Sequence, residues 1–167
     1  MISLVNKYYF FKIMSLKIND KLPLFTLKNQ YNLEVNSKEL YGQNVVIFFY
    51  PKDNTPGCTA QVCNFRDNFD TIEKYEANLI GISSDTVNSH NLFAKKFNIK
   101  YDLLSDYDRK VEKLFGVPRN LFGLLPGRVT YIFNKRGLLV ETINSQTKIN
   151  KHLNKSLEVL KRLKNTK

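Results

Sequence analysis

Residues that staple, ligate or cradle are scarce in this chain. Only two cysteines, Cys58 and Cys63, stand in 167 residues, too few for the disulfide framework of a small secreted domain. Reduced, catalytic thiols in a reducing compartment such as the cytoplasm are the expectation. The two histidines, His90 and His152, each stand alone, without a second histidine or a cysteine at metal-ligand spacing, so no metal site is indicated. There is no glycine-rich phosphate loop, and no nucleotide or other cofactor is expected. Long apolar runs are lacking too. The cluster Tyr8-Tyr-Phe-Phe11 is bracketed by Lys7 and Lys12, far too short to span a membrane, and no small-residue cleavage site follows it.

Acidic residues are also few: 15 against 26 lysines and arginines, a formal net charge of +11. Such a charge suits nucleic acid or an acidic surface. The sequence has no helix-turn-helix, zinc finger or aromatic RNA-binding motif, so a solvated lysine-rich surface is the reading adopted. At this length one domain is expected. Residues 1–13 read as an N-terminal extension without a catalytic role, with Met14 as the expected natural start and residues 14–167 as the domain. The extension is free of acids, as an organellar targeting peptide would be, but it also lacks arginine.

What is present centres on one stretch, Val45-Val-Ile-Phe-Phe-Tyr-Pro-Lys-Asp-Asn-Thr-Pro-Gly-Cys-Thr-Ala-Gln-Val-Cys63. Its first residues are β-branched or aromatic without alternation, the pattern of a strand buried on both faces. Pro51 stops the strand, a turn-rich segment follows, and Thr59 to Phe69 is compatible with a helix. A thiol at a strand-to-helix junction meets outward-facing N–H groups and the positive end of the helix dipole. Both favour the thiolate, the reactive form.

The flanking segments suggest a repeating order. An edge strand is expected near Phe25 to Leu27, and a turn capped by Ser37. A second buried strand runs from Asn78 to Ser84. A helix capped by Ser84-Asp85 reaches Phe97, with Val87, Phe93, Ala94 and Phe97 inward. A short strand (Tyr101 to Leu104) and a short helix (Asp108 to Phe115) precede a hairpin, Arg128 to Phe133 and Leu138 to Ile143, turning through Asn134–Gly137. Ile149, Leu153, Leu157 and Leu160 mark a final amphipathic helix, read as packing on the sheet rather than lying on a membrane. This order is that of an α/β thioredoxin-like fold with a central mixed sheet flanked by helices.

The segment Pro51-Lys-Asp-Asn-Thr55-Pro-Gly-Cys58 matches the peroxiredoxin signature Pro-x-x-x-Thr-x-x-Cys. With Tyr50 before it, Thr59 after it and a second cysteine five residues on, the chain resembles the peroxiredoxin Q (bacterioferritin comigratory protein) branch over roughly Leu16 to Leu163. The resemblance implies a thiol peroxidase with Cys58 as peroxidatic and Cys63 as resolving cysteine, forming an intramolecular disulfide that thioredoxin or a similar dithiol reduces. It also implies hydrogen peroxide and organic hydroperoxides as substrates, and a monomer acting without nucleic acid or membrane.

A thiol of pKa about 8.5 that falls to about 6 gains on the order of tenfold in thiolate at neutral pH. That is too little for a catalyst, so donors must also stabilise the departing peroxide oxygen. Those expected are the Thr55 hydroxyl, the N–H groups of Gly57 and Cys58, and a guanidinium. Arg128, opening a strand in Pro126-Gly-Arg-Val-Thr, resembles the family segment that supplies it; Arg119 is the runner-up. Pro51 is expected to shield the sulfur. Gln61 lies where related enzymes often carry glutamate, so it can accept from an arginine but brings no charge. The loop Asn120 to Gly127, with Leu121, Phe122, Leu124 and Leu125, reads as an apolar rim favouring organic hydroperoxides. Two other classes remain to be separated: a general disulfide oxidoreductase, for which the cysteine spacing is too wide, and a basic binding protein on the same scaffold with structural cysteines.

Overall fold

In the computed structural model, which describes residues 15–120, 123 and 125–166, nine strands and five α-helices are seen among the described residues. In chain order they begin with β1 (Thr26–Asn29), β2 (Glu34–Asn36), β3 (Asn44–Phe49), α1 (Pro56–Asp67), α2 (Phe69–Lys74), β4 (Ala77–Ser83) and α3 (Val87–Phe97). They continue with β5 (Asp102–Ser105), α4 (Lys110–Phe115), β6 (Arg119–Asn120), β7 (Leu125–Pro126), β8 (Val129–Phe133), β9 (Leu139–Asn144) and α5 (Ile149–Asn165). The expected N-terminal extension and the side chains of the expected apolar rim, Leu121, Phe122, Leu124 and Leu125, lie outside what is described.

All six residues of β3 are buried because the strand sits mid-sheet, in the order β2-β1-β5-β4-β3-β8-β9. It pairs parallel with β4, Ile47 opposite Ile80, and antiparallel with β8, Val46 opposite Ile132. Side chains alternate across the pleat. Val46, Phe48 and Tyr50 join a core with Val62 and Phe65 of α1, Phe93 of α3 and Leu160 of α5. Val45, Ile47 and Phe49 face the other core, with Phe115 of α4, Tyr131, Phe133 and Leu139. The strand is therefore apolar at every position from Val45 onward, and each such side chain contributes roughly 1.5–3 kcal/mol of burial. Mixed pairing arises where expected: parallel strands are joined through helices, and β8 and β9 form a hairpin whose turn ends on Gly137 at φ +70°.

Several boundaries differ from the expectation for identifiable reasons. β1 is not an edge, because the short polar β2 pairs outside it; three residues of Glu-Val-Asn carry no apolar pattern. Asn36, not Ser37, caps the turn after β2 through Lys38 N–H, while the Ser37 hydroxyl accepts from Phe25 N–H. Thr86 rather than Ser84-Asp85 caps α3, accepting from Ser89 N–H at 3.2 Å. The helix after β3 starts at Pro56, a residue whose missing N–H suits a first turn, and it breaks at Asn68 before α2. Cys58 consequently lies inside the first turn of α1 rather than before it.

Candidate active site

β3 ends beneath the N-terminus of α1, and the six residues Tyr50–Thr55 bridge them. Thr55 is the N-cap residue in extended conformation and Pro56 the first helical residue. The early N–H groups of a helix have no acceptor within it, so the Gly57 and Cys58 amides join the dipole in favouring negative charge beside the sulfur. Thr59 N–H is the first to bond back, to Thr55 O at 2.8 Å.

Cys58 is 1% exposed yet lines a cleft of about 520 Å³ with Pro51, Lys52, Thr55, Asp85, Arg109 and Arg128. From the first position beyond the β7 residues and Gly127, at the mouth of β8, Arg128 reaches the same floor. Its Nη2 stands 3.5 Å from the Cys58 sulfur. Its Nη1 donates to Gln61 Oε1 at 2.5 Å and to Gly57 O at 3.4 Å, and its Nε to Gln146 O at 3.3 Å. Every acceptor is neutral or the thiol, so the buried guanidinium is held by geometry with no carboxylate partner among the described residues. Gln61 thus orients Arg128 despite bringing no charge, and its own Nε2 is buried without a partner.

Five sequence-predicted residues, Pro51, Thr55, Cys58, Arg128 and the first-turn amides' Gly57, meet in one place. Cys63 does not. It is free, half-buried, and lies five residues further along the same helix, with burial pushing its thiol up against the lowering effect of Arg66 and with a smaller upward push from Asp67. Arg119, the other candidate guanidinium, is in a different setting, 3.6 Å from Glu112. The Thr55 hydroxyl donates to Lys52 O at 3.0 Å, which fixes the loop and leaves its lone pairs, not its proton, for the cleft.

A second set of residues beneath the loop was not singled out from the sequence. Asp53 is buried, accepting from the Tyr50 hydroxyl at 2.7 Å, from Ser89 Oγ at 2.8 Å and contacting His90 Nδ1 at 2.9 Å. His90 Nε2 reaches Leu104 O at 3.2 Å, and Asp85 accepts from Asp53 N–H and the Ser83 hydroxyl. One potential ligand atom each from Asp53, Asp85 and His90 lies within 4.8 Å of the others, a proximity that their linear separation hides. The Asp53 and His90 atoms are already engaged, so the cluster reads as a closed hydrogen-bond network that ties the loop to α3. The signal available in sequence was Asp53 itself, a carboxylate inside the Pro51-to-Thr55 segment.

The family model described as the AhpC/TSA family matches residues 18–142. A chloroplastic peroxiredoxin Q from Sedum lineare is 46% identical over 142 residues, covering 85% of this chain and 76% of that one. Across the curated relatives the chain spans 64% to 76% of their length. Among solved structures, the peroxidoxin BcpB of Mycobacterium tuberculosis superposes with a TM-score of 0.81 at 33% identity, covering 88% of this chain and 97% of that one. A Xanthomonas campestris bacterioferritin comigratory protein, solved in connection with its alkyl peroxide reduction activity, gives 0.78 at 28% identity, covering 87% and 99%. A buried cysteine on a helix N-terminus, faced by an arginine and built on this sheet, agrees with those likenesses: the chain belongs to the AhpC/TSA family, the peroxiredoxins, and is a thiol peroxidase.

Proposed function

We propose that Cys58 is the peroxidatic cysteine, Arg128 the group that stabilises the departing oxygen, and Cys63 the resolving cysteine. The observation that carries this reading is the Arg128 Nη2 to Cys58 Sγ approach of 3.5 Å in a cleft that peroxide can enter. The Cys58 thiolate attacks the distal peroxide oxygen and the O–O bond breaks. The bonding pair leaves on the proximal oxygen, which takes a proton and departs as water or an alcohol, and Cys58 becomes a sulfenic acid. A guanidinium is suited to this step because its charge is permanent and its planar fork spans sulfur and oxygen together. Pro51 lines the cleft as a shield, and the Thr55 oxygen is placed to accept the proton of an incoming hydroperoxide.

Cys63 then attacks the sulfenic sulfur, expelling hydroxide that leaves as water, and an intramolecular disulfide forms. An external dithiol, thioredoxin or a similar protein, reduces it by exchange. The chain is read as a monomer acting on hydrogen peroxide and organic hydroperoxides, the latter supported by the alkyl peroxide activity named for the Xanthomonas relative. Two free thiols suit the cytoplasm or an organelle supplied with a dithiol reductant; the curated relatives are chloroplastic by name. Among the described residues no helix is long and apolar enough to cross a membrane.

Peroxide titration of the reduced protein, followed by free-thiol count and intact mass, tests the assignment. One equivalent should remove both thiols with a loss of about two mass units. Cys63→Ser should stop at the sulfenic acid and Cys58→Ser should not react. A wild-type protein that stops at a stable sulfenic acid removes Cys63 from the cycle, and an unreactive Cys58 removes the whole assignment.

A further inference from the structure

Arg128 is held from two sides, and only one of them belongs to α1. Gly57 O and Gln61 Oε1 are the α1 contacts, and these are the contacts disturbed if the first turns of that helix open. The other contact is Gln146 O, in the loop between β9 and α5. That carbonyl is in turn fixed by its neighbour Ser145. Ser145 N–H donates to Arg128 O at 3.2 Å, and Ser145 O accepts from His152 Nε2 at 2.8 Å. The ring closes through Thr130, two residues after Arg128 on β8, whose hydroxyl lies 2.8 Å from His152 Nδ1. His152, on the first turns of α5, is fully buried.

We propose that His152 is a positioning residue for Arg128, clamping the β9–α5 loop so that the Gln146 carbonyl holds the guanidinium over Cys58. This rests on the role given to Arg128 above. Atom by atom, the ring is satisfied by one tautomer of the neutral imidazole. A carbonyl can only accept, so Nε2 must carry the proton towards Ser145 O, and Nδ1 must then accept from the Thr130 hydroxyl. A second proton on Nδ1 would reverse that bond, the imidazolium donating to the Thr130 oxygen as the hydroxyl rotates. Burial pushes the His152 pKa down; the Ser145 carbonyl opposes this, and the charges of Arg128 and Lys151 push it further down. Those two are the cations bearing on the ring, from β8 and α5. From α1 the ionisable group facing the arginine is Cys58, and on β9 Glu141 accepts from Thr142 N–H.

The experiment is the pseudo-first-order rate of Cys58 oxidation by hydrogen peroxide, read by quench and intact mass between about pH 5 and 8. It uses the wild type, His152→Leu, His152→Gln, Thr130→Val and Arg128→Gln. His152→Leu should slow the reaction on the order of tenfold at neutral pH, the scale of a misaligned catalytic group. His152→Gln offers an amide to Ser145 O and an acceptor to Thr130 and does not titrate. It should recover most of the wild-type rate. Thr130→Val takes away the partner of Nδ1 and should slow the reaction by a few-fold, because the imidazole loses its tie to β8. A folded His152→Leu that reacts at the wild-type rate overturns the proposal. Should it fail to fold, a folded Thr130→Val that reacts at the wild-type rate overturns it instead. Full activity in Arg128→Gln would remove the reading of the site itself; a slow Arg128→Gln beside a fast His152→Leu removes only the role of His152.

Discussion

Cys58 and Cys63 sit five residues apart on one unbroken helix, Pro56–Asp67, and both sulfurs are free. Five helical residues give about 7.5 Å of rise and 140° of rotation, hence roughly 8.6 Å between Cα atoms, beyond the limit of about 7 Å for a disulfide. The bond therefore requires the first turns of α1 to unwind. The rest of the helix is well anchored, by Phe65 and Val62 in the core and by the Tyr101 hydroxyl on Val62 O at 2.8 Å. Hydrogen exchange on reduced and oxidised protein should show protection lost in a peptide spanning residues 56–63 and kept beyond Phe65. Equal protection of the first turns in both forms would exclude a Cys58–Cys63 disulfide on this path.

Burial raises the pKa of Cys63 in the closed helix, so at neutral pH it is a thiol and a poor nucleophile until the helix opens. The sign is direct: raising pH through the elevated value increases the thiolate and accelerates resolution. Disulfide formation, timed after a peroxide pulse, should rise with pH above neutrality well after sulfenic acid formation has levelled. Arg66→Gln removes the one charge that lowers this pKa and should slow resolution at neutral pH by a few-fold, leaving sulfenic acid formation unchanged. A pH-independent resolution rate in both proteins would show that helix opening alone sets the step.

The parts of this fold that the sequence made legible are those where one local rule governs. The run Val45–Phe49 has no alternation because both sheet faces are covered, and the Pro51-to-Cys58 signature fixes the loop at its end. Arg128 could be picked out because its segment, Pro126-Gly-Arg-Val-Thr, resembles the one that supplies the family's arginine. What stayed hidden depends on contacts distant in sequence. β2 is three residues whose pairing with β1 supplies its structure. His90 and His152, each read as an isolated histidine, are fully buried because partners 37 and 22 residues away, Asp53 and Thr130, reach them. Gln61 is read from the sequence as able to accept from an arginine, and the 2.5 Å contact to Arg128 is that bond.

Gly57 occupies a position where a side chain would crowd the Arg128 guanidinium. A Cβ there would lie 3.2 Å from Arg128 Nη2 and 3.3 Å from Ile149 Cδ1. Alanine is the better helix former by about 1 kcal/mol, so local propensity and the site pull in opposite directions. Gly57→Ala should fold at least as well as wild type by thermal melting, yet react with peroxide about tenfold more slowly, because the guanidinium is displaced from the sulfur. Unchanged peroxide kinetics would mean that Arg128 has room to move without loss.

The network under the loop makes a prediction that couples stability to catalysis. Asp53 carries the only carboxylate of the Pro51–Cys58 loop, and its two oxygens take the Tyr50 hydroxyl, the Ser89 hydroxyl and His90 Nδ1. Tyr50 cannot release its proton to relieve the cluster, because burial first and the Asp53 charge second hold its pKa well above the usual phenol range. Asp53→Asn keeps the shape but turns an amide donor towards donors, and an imidazole and two hydroxyls are left competing for one amide oxygen. Breaking a buried pair from one side in this way costs about 3 kcal/mol, which at a slope of 1–3 kcal/mol per molar urea is a fall of roughly 1–3 M in the unfolding midpoint. Tyr50→Phe removes a single donor and should cost about 1 kcal/mol. Because the same carboxylate ties the loop to α3, Asp53→Asn should also loosen Pro51 and Thr55 around the sulfur and slow Cys58 oxidation in the molecules that remain folded. A midpoint shifted by less than about 0.3 M, with peroxide kinetics intact, would show that the cluster merely fills space.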